Sequence, residues 1–142
     1  MRLLALTFVF LSSASSVYAQ TAAPDTAGAR VPVEHYLAGH ATGDGAHFRL
    51  AFAPQASLFW VRADTLATRT SEQYAAGASG KPPADEAQRK RWIESIDVAG
   101  NAGVAKVVLD YPTTRFVDYL ALLKIDGEWK IINKIFYSEP KN

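Results

Sequence analysis

The front third of the chain has apolar residues at helical spacing. Positions i, i+3, i+4 and i+7 of the first helix predict a buried face made of Val33, Tyr36, Leu37 and His40. Gly43 is suited to end this helix and Asp44 to cap the next one, because glycine adopts a left-handed conformation easily and aspartate accepts hydrogen bonds from free helix amides. The second helix is short, and its predicted buried side carries Phe48, Ala51 and Phe52.

The middle of the chain predicts two short strands and one capped helix. Residues 56–61 are apolar, aromatic and β-branched and predict a strand, and residues 66–69 predict a shorter one. Thr70 or Ser71 is expected to cap a helix that runs through Ala76, with Gln73 as the capping-box partner of Thr70. The Gly-, Ala- and Pro-rich segment that follows predicts a long loop over residues 77–85.

The last fifty residues predict two β-hairpins. Gly100-Asn101 and Asp126-Gly127 are dipeptides that suit tight turns. The strands that they join are residues 91–98, 104–110, 115–125 and 128–137. Helices near the front followed by antiparallel strands indicate an α+β domain, with the helices gathered on one face of the sheet.

The turn at Gly100-Asn101 sets the register of the first hairpin, because it pairs Ala99 with Ala102. A slip of one residue moves every side chain to the other face, so this pairing decides which residues lie inside. The predicted inward face consists of Trp92, Glu94, Ile96, Val98, Ala105, Val107, Leu109 and Tyr111. The pairs predicted on the other face are Arg91–Asp110 and Ser95–Lys106.

Two registers are open for the second hairpin. A two-residue turn pairs Ile125 with Glu128, whereas a three-residue loop pairs Lys124 with Glu128 and Asp118 with Lys134. We favour the second, because it gives an apolar inward face and two pairs of opposite charge on the other face. The inward face is then Val117, Tyr119, Ala121, Leu123, Trp129, Ile131, Asn133, Ile135 and Tyr137.

The outward face of the same hairpin is predicted to form a homodimer interface. It consists of Phe116, Asp118, Leu120, Leu122, Ile132, Lys134 and Phe136. An exposed face this apolar usually marks association, and two-fold dimers are the commonest assembly.

Residues 1–19 have the layout of a secretory signal peptide. Arg2 precedes an apolar run, and Val17-Tyr18-Ala19 ends the segment with a small residue at the expected cleavage point. We expect cleavage after Ala19 and a periplasmic or secreted protein, with an uncleaved anchor as the alternative. Residues 20–30 are then a flexible leader, and residues 31–142 form one soluble domain without membrane association.

Composition excludes several classes of function. The chain has no cysteine, which removes disulfides, thiol catalysis and thiolate metal sites. With 15 basic and 14 acidic residues the formal net charge is +1, so no basic stripe supports nucleic-acid binding. Glu34, His35 and His40 lack the spacing of metal ligands on one helix face, and we predict neither a metal nor a cofactor.

The chain resembles a known family in two places. Residues 116–136 (FVDYLALLKIDGEWKIINKIF) are similar to the end of the putative lumazine-binding family, which belongs to the nuclear-transport-factor-2-like group with the SnoaL-like cyclases nearby. The front agrees in YLAG at residues 36–39, in Gly43-Asp44, and in AFAPQA at residues 51–56. The resemblance covers residues 31–141. It implies a curved sheet wrapped around helices, a cone with an apolar pocket, and dimers through the outer sheet face.

Glu94 and His40 are the candidate catalytic residues. A carboxylate on an inward strand face is suited to act as a base of raised pKa, and the alternatives are pairing with a buried partner or a sheet end that opens to solvent. His40 lies on the apolar face of the first helix and is a fitting acid or base, and the alternative is a capped or half-exposed position. The predicted ligand pocket is lined by Tyr36, Trp60, Trp92, Tyr119, Asn133 and Tyr137.

Three functions stay open, because a fold does not fix a function. The favoured one is an exported domain that binds a small hydrophobic or aromatic molecule in the cone. The second is an isomerase- or cyclase-like enzyme that uses Glu94 or His40 as its base. The third is a non-catalytic dimeric interaction module, which a pocket filled by Trp60, Trp92 and Trp129 would favour.

Overall fold

Three helices and a six-stranded sheet make up the part of the chain, residues 23–142, that the computed structural model describes. In chain order the elements are α1 (Thr26–Thr42), α2 (Gly45–Ala51), β1 (Phe52–Arg62), β2 (Thr65–Thr70), α3 (Ser71–Ala76), a 3-10 turn (Glu86–Gln88), β3 (Lys90–Ala99), β4 (Ala102–Asp110), β5 (Thr114–Ile125) and β6 (Glu128–Pro140). The sheet order is β2-β1-β6-β5-β4-β3. The pairs are antiparallel except that β1 runs parallel to β6. The predicted α+β class is confirmed.

The first helix begins earlier than its apolar spacing predicts. The Asp25 side chain accepts a hydrogen bond from the Gly28 amide at 3.0 Å and so caps α1 at Thr26. The same carboxylate accepts from Lys124 Nζ at 2.8 Å and Trp129 Nε1 at 2.9 Å, and these hydrogen bonds lower the pKa of Asp25 to about 2. The leader predicted over residues 20–30 is therefore too long, because its last five residues are helical and Asp25, which precedes them, is hydrogen-bonded to the final hairpin.

The other helix ends follow the predicted cap chemistry. Gly43 ends α1 with φ of 69°, and Asp44 accepts from the Ala46 amide at 2.8 Å to start α2. Thr70 and Gln73 form the predicted capping box at the start of α3. No described helix combines the length and apolar character needed to cross a membrane.

A β-bulge at Glu94 corrects the predicted face of β3. The register runs as predicted from Ala99–Ala102 to Ser95–Lys106, and then shifts so that Ile93 pairs with Val107. A bulge adds one unpaired residue and reverses the alternation of side chains beyond it. Ile93 therefore packs on the core in place of Glu94. The shift also replaces the predicted Arg91–Asp110 pair and turns Trp92 outward, as shown by its pairs Arg91–Leu109 and Trp92–Val108.

The second hairpin adopts the register that we did not favour. Ile125 pairs with Glu128 across a two-residue turn in which Asp126 and Gly127 both have positive φ, 50° and 85°. Ladder pairing then shifts at Ile132. Because of this shift, Lys134 and Phe136 lie on the same inner face as Trp129 and Ile131. The residues beside Lys134 and Phe136 lie on the outer face.

The predicted inward and outward faces of this hairpin are consequently exchanged over most of their length. Of the predicted dimer face, Asp118, Leu120, Leu122 and Lys134 are each at most 4 % exposed and lie in the core. Of the predicted pocket face, Tyr119, Ile135 and Tyr137 are 43, 51 and 65 % exposed. The core lies between the inner sheet face and the three helices, and its largest fully buried members include Tyr36, Leu58, Leu109, Leu120 and Ile131.

Candidate functional site

Three polar side chains meet inside the core between α1 and the sheet. Lys134 Nζ donates to the Tyr36 hydroxyl at 2.5 Å, and the Tyr36 hydroxyl donates to Asp118 Oδ2 at 2.5 Å. Lys134 Nζ also lies 3.1 Å from Asp118 Oδ2. All three residues are buried, and Tyr36 and Asp118 have no exposed surface at all. The group is a buried ion pair bridged by a phenol.

The local sequence explains why these residues meet. Leu120 on β5 pairs with Lys134 on β6, and Asp118 is two residues along the same inner face of β5. The irregularity at Ile132 is what points Lys134 inward, since an unbroken alternation after Ile131 would point it outward. Tyr36 reaches the pair from the buried face of α1.

A second polar group surrounds His40, one helical turn after Tyr36. His40 Nε2 lies 2.9 Å from the Tyr74 hydroxyl, and His40 Nδ1 lies 3.2 Å from the Tyr111 hydroxyl. Burial lowers the pKa of His40 well below its usual value, and the nearby charge of Lys134 lowers it further. A neutral imidazole has one donor and one acceptor, so one of the two tyrosines donates to His40 and the other accepts.

The charges of the site are poorly solvated. Burial lowers the pKa of Lys134, and Asp118 opposes that shift. Burial raises the pKa of Tyr36 and of Tyr74, so both hydroxyls keep their protons. Asp118 Oδ1 is buried and finds no hydrogen-bond partner among residues 23–142. Since buried acceptors are usually satisfied, this oxygen is an unused acceptor inside the site.

A cavity of about 190 Å³ joins the two polar groups. Its polar walls are Lys134, His40, Tyr74 and Tyr111, and its apolar walls are Leu109, Phe116 and Phe136. A second cavity of about 210 Å³ shares His40 and Tyr74 and also touches Arg69 and Arg89. Pockets for drug-sized ligands usually hold about 300–1,000 Å³, so each cavity by itself suits a smaller molecule.

Two predicted site residues lie in this site. Tyr36 and His40 were assigned to the inner face from helical spacing, and both belong to the polar groups described above. The catalytic role of His40 stays a prediction.

The other predicted site residues lie elsewhere. The prediction that Glu94 lines the pocket is wrong, because its carboxylate is half exposed and pairs with Lys106 Nζ at 2.6 Å on the outer face. Three more predicted pocket residues, Trp92, Tyr119 and Tyr137, are exposed there as well. The Asn133 amide donates to the Ser57 carbonyl at 3.3 Å, and Trp60 stacks on Phe136 with ring centroids 5.6 Å apart.

Sequence reasoning did not assign four members to the site: Asp118 and Lys134, which it paired but placed on the outer face, Tyr111, which it placed on the inward face without a role, and Tyr74. One signal for Lys134 was present, because it is a single charge inside the apolar run of residues 131–137. Tyr74 lies on a helix whose capping box was recognised, four residues after Thr70. Metal-binding clusters of three or more His, Cys, Asp or Glu residues are not found within the described part of the chain.

Known proteins share this fold and most of this length. A family model described as putative lumazine-binding matches residues 24–137. A nuclear-transport-factor-2-like protein of unknown function from Shewanella baltica OS155 is 26 % identical, with a TM-score of 0.73 over 82 % of this chain and 95 % of that one. A second one, from Methylobacillus flagellatus KT, is 26 % identical, with a TM-score of 0.67 over 81 % and 92 %. The predicted fold and family resemblance are confirmed.

A curated protein matches a shorter piece. The aldolase FrzH of Cladobotryum sp. is 44 % identical over 54 residues, which are 37 % of this chain and 43 % of the aldolase. The match thus spans less than half the length of that relative.

Proposed function

Because the chain belongs to the putative lumazine-binding family, we propose that it binds a small molecule in the cavity beside Lys134 and His40. The observation that carries the proposal is that four polar side chains converge on a cavity whose other walls are apolar. Such a cavity holds a ligand by apolar burial and orients it by a few placed donors and acceptors. Trp60, Trp92 and Trp129 lie outside its walls, which weighs against a cone filled by tryptophan.

The test is native mass spectrometry of the protein purified from its own source, followed by thermal-shift measurements with a metabolite panel. We expect a retained small molecule or a stabilising ligand in the parent, and its loss when Leu109→Trp fills the cavity. Val104→Trp is the matched control, because Val104 lies on the same strand and is 44 % exposed. An empty parent protein that no panel member stabilises contradicts the proposal.

A second candidate is an isomerase- or cyclase-like enzyme with the same cavity. Neutral His40, held between two tyrosines, is the observation that favours it, since a neutral imidazole can take up a proton. The partial likeness to an aldolase supports chemistry on carbonyl compounds. Deuterium exchange from solvent into small ketones, followed by NMR, tests this candidate. A rate that His40→Gln leaves unchanged would contradict it.

We also propose that the chain is exported and forms a homodimer. The predicted signal peptide, residues 1–19, lies outside the described residues, and intact-mass measurement of the secreted or periplasmic protein would show a chain that starts at Gln20. The dimer interface that we propose is the outer sheet face as the structure has it. On this face Tyr119, Ile135 and Tyr137 are exposed side by side on β5 and β6. The Glu94–Lys106 pair beside them supplies both signs of charge, as a self-complementary surface requires.

A further inference from the structure

Lys134 is placed differently from a lysine that only neutralises a buried acid. Its Nζ lies 4.7 Å from the ring centroid of Phe136 and 4.9 Å from that of Tyr36, so two aromatic faces hold the amine in one position. The side chain is 5 % exposed, yet it forms part of a cavity wall. The Lys134 side chain therefore borders space that a small molecule can occupy, while the side chain itself is shielded from water.

The carboxylate beside the amine has capacity to spare. Asp118 Oδ2 takes both the Tyr36 and the Lys134 contact, and Oδ1 has no partner among the described residues. A purely structural ion pair is most stable when each buried oxygen is hydrogen-bonded. Here one oxygen remains free to accept or return a proton next to the amine.

We propose that the occupant of this cavity is a small aldehyde or ketone and that Lys134 binds it covalently as an imine. The proposal rests on the proposed function, because it requires a small molecule in this cavity. Lysine amines in desolvated pockets are the usual nucleophiles of this chemistry. Burial, which lowers the pKa of Lys134, favours the unprotonated amine that must attack.

The reaction balances with the groups at the site. Asp118 takes one proton from the Lys134 ammonium, and the Nζ lone pair forms a bond to the carbonyl carbon. The oxygen of the addition product receives that proton and a second one that leaves Nζ, again through Asp118. The carbon–oxygen bond then breaks, water departs with its electron pair, and the carbon–nitrogen double bond forms. No electron donor or acceptor is needed.

The surroundings stabilise the product. The iminium carries the same single positive charge as the ammonium, so its attraction to Asp118 is preserved after the reaction. Tyr74 and Tyr111 stand in the wall of the same cavity. The hydroxyl that accepts from His40 can donate to the carbonyl oxygen, and the hydroxyl that donates to His40 can accept from the departing water. The cavity volume of about 190 Å³ limits the substrate to a compact molecule.

Reductive trapping tests the proposal. The full mature chain is incubated near neutral pH with propanal, cyclopentanone or benzaldehyde together with cyanoborohydride, which converts an imine to a stable secondary amine. Peptide mapping then locates the modification. We expect at least one probe to label Lys134 several-fold faster than Lys106, a half-exposed lysine in the same sheet that serves as an internal control.

Variants separate covalent capture from simple binding. Lys134→Arg keeps the positive charge at residue 134, whereas Lys134→Met/Asp118→Asn removes the charges of both residues. Neither variant can form the imine, so both should lose labelling at residue 134. Lys106→Arg should leave the labelling of Lys134 unchanged. Native mass spectrometry with the same probes, without reductant, reports non-covalent binding by each variant.

The outcomes distinguish the two levels of proposal. If the probes or a retained molecule bind in the cavity but reduction labels only exposed lysines, the imine is refuted and the binding function stands. If Lys134 is labelled at the rate of Lys106, the imine is likewise refuted, because the site then gives the amine no advantage. If nothing binds, is retained or is trapped, both proposals fall together.

Discussion

Removing the lysine alone from the buried ion pair is expected to cost far more stability than removing the whole pair. Lys134→Met leaves the Asp118 carboxylate fully buried with the Tyr36 hydroxyl as its partner. An uncompensated buried charge of this kind costs about 3–5 kcal/mol. In Lys134→Met/Asp118→Leu the charge is gone as well, and the cost falls to about 0–2 kcal/mol, most of it from the Tyr36 hydroxyl, which loses Asp118 and Lys134 as partners.

Urea unfolding followed by tryptophan fluorescence measures both costs. Thermal unfolding gives the same comparison as a difference in melting temperature. At about 4 °C per kcal/mol for a domain of this size, the Lys134→Met variant should melt about 12–20 °C below the parent. Lys106→Met is the control, since it breaks the half-exposed Glu94 pair and should leave the stability almost unchanged. A double variant as unstable as the single one would show that packing, rather than charge, dominates at this place.

The single variant also provides the refuting outcome. A cost of Lys134→Met below about 1 kcal/mol would refute the view that Asp118 is a buried charge held by Lys134.

Three further predictions concern His40, Gly43 and the outer face. The pKa of His40 is lowered in the folded state, so its contribution to stability is complete above the unfolded pKa of about 6.5 and is lost as the pH falls from there toward the folded pKa. Urea midpoints should therefore fall between about pH 7 and 5, and His40→Gln should flatten the slope, whereas an equal slope in both proteins would contradict this. Gly43→Ala should lower the free energy of unfolding, measured in urea, by about 2 kcal/mol or more. The reason is that φ of residue 43 is 69° and that a Cβ would lie against the Lys81 carbonyl oxygen. A loss below about 0.5 kcal/mol would be inconsistent with that contact. Ile135→Glu should convert the proposed dimer to a monomer in light scattering while Val104→Glu changes it less, and a monomeric parent at high concentration would count against the dimer.

The helical part of the molecule follows closely from local sequence rules. Caps at Asp44 and Thr70 and the end of α1 at Gly43 depend on a few neighbouring residues, and each was predictable from them. The missed N-terminus of α1 depends on Asp25, whose carboxylate is held by the distant residues Lys124 and Trp129. No local pattern reveals those contacts, which explains why the predicted leader extends too far.

The strands could be located from the sequence, and so could the inner face of β4, but the faces of β5, of most of β6 and of the start of β3 could not. Alternation is a strict period of two, so one extra residue reverses everything beyond it. The bulge at Glu94 places Ile93 on the core in place of Glu94. The irregularity at Ile132 places Lys134 on the core in place of Asn133. The apolar residues on both sides of the sheet made the wrong register look coherent, because the outer face here is itself rich in aromatic and β-branched residues.

The irregularity at Ile132 also decides where a residue of the candidate site lies. With regular alternation Lys134 would stand on the outer face opposite solvent, and Asp118 would be a lone buried acid beside Tyr36. Bulges recur next to functional sites because they re-aim a single side chain without changing the fold. Deleting Ile132 removes the extra residue and makes Asn133 follow Ile131, so regular alternation should keep Lys134 on the inner face opposite Leu120. Reductive labelling of Lys134 should therefore persist in a deletion variant whose circular dichroism remains that of a folded sheet, and loss of labelling in such a variant would contradict this argument.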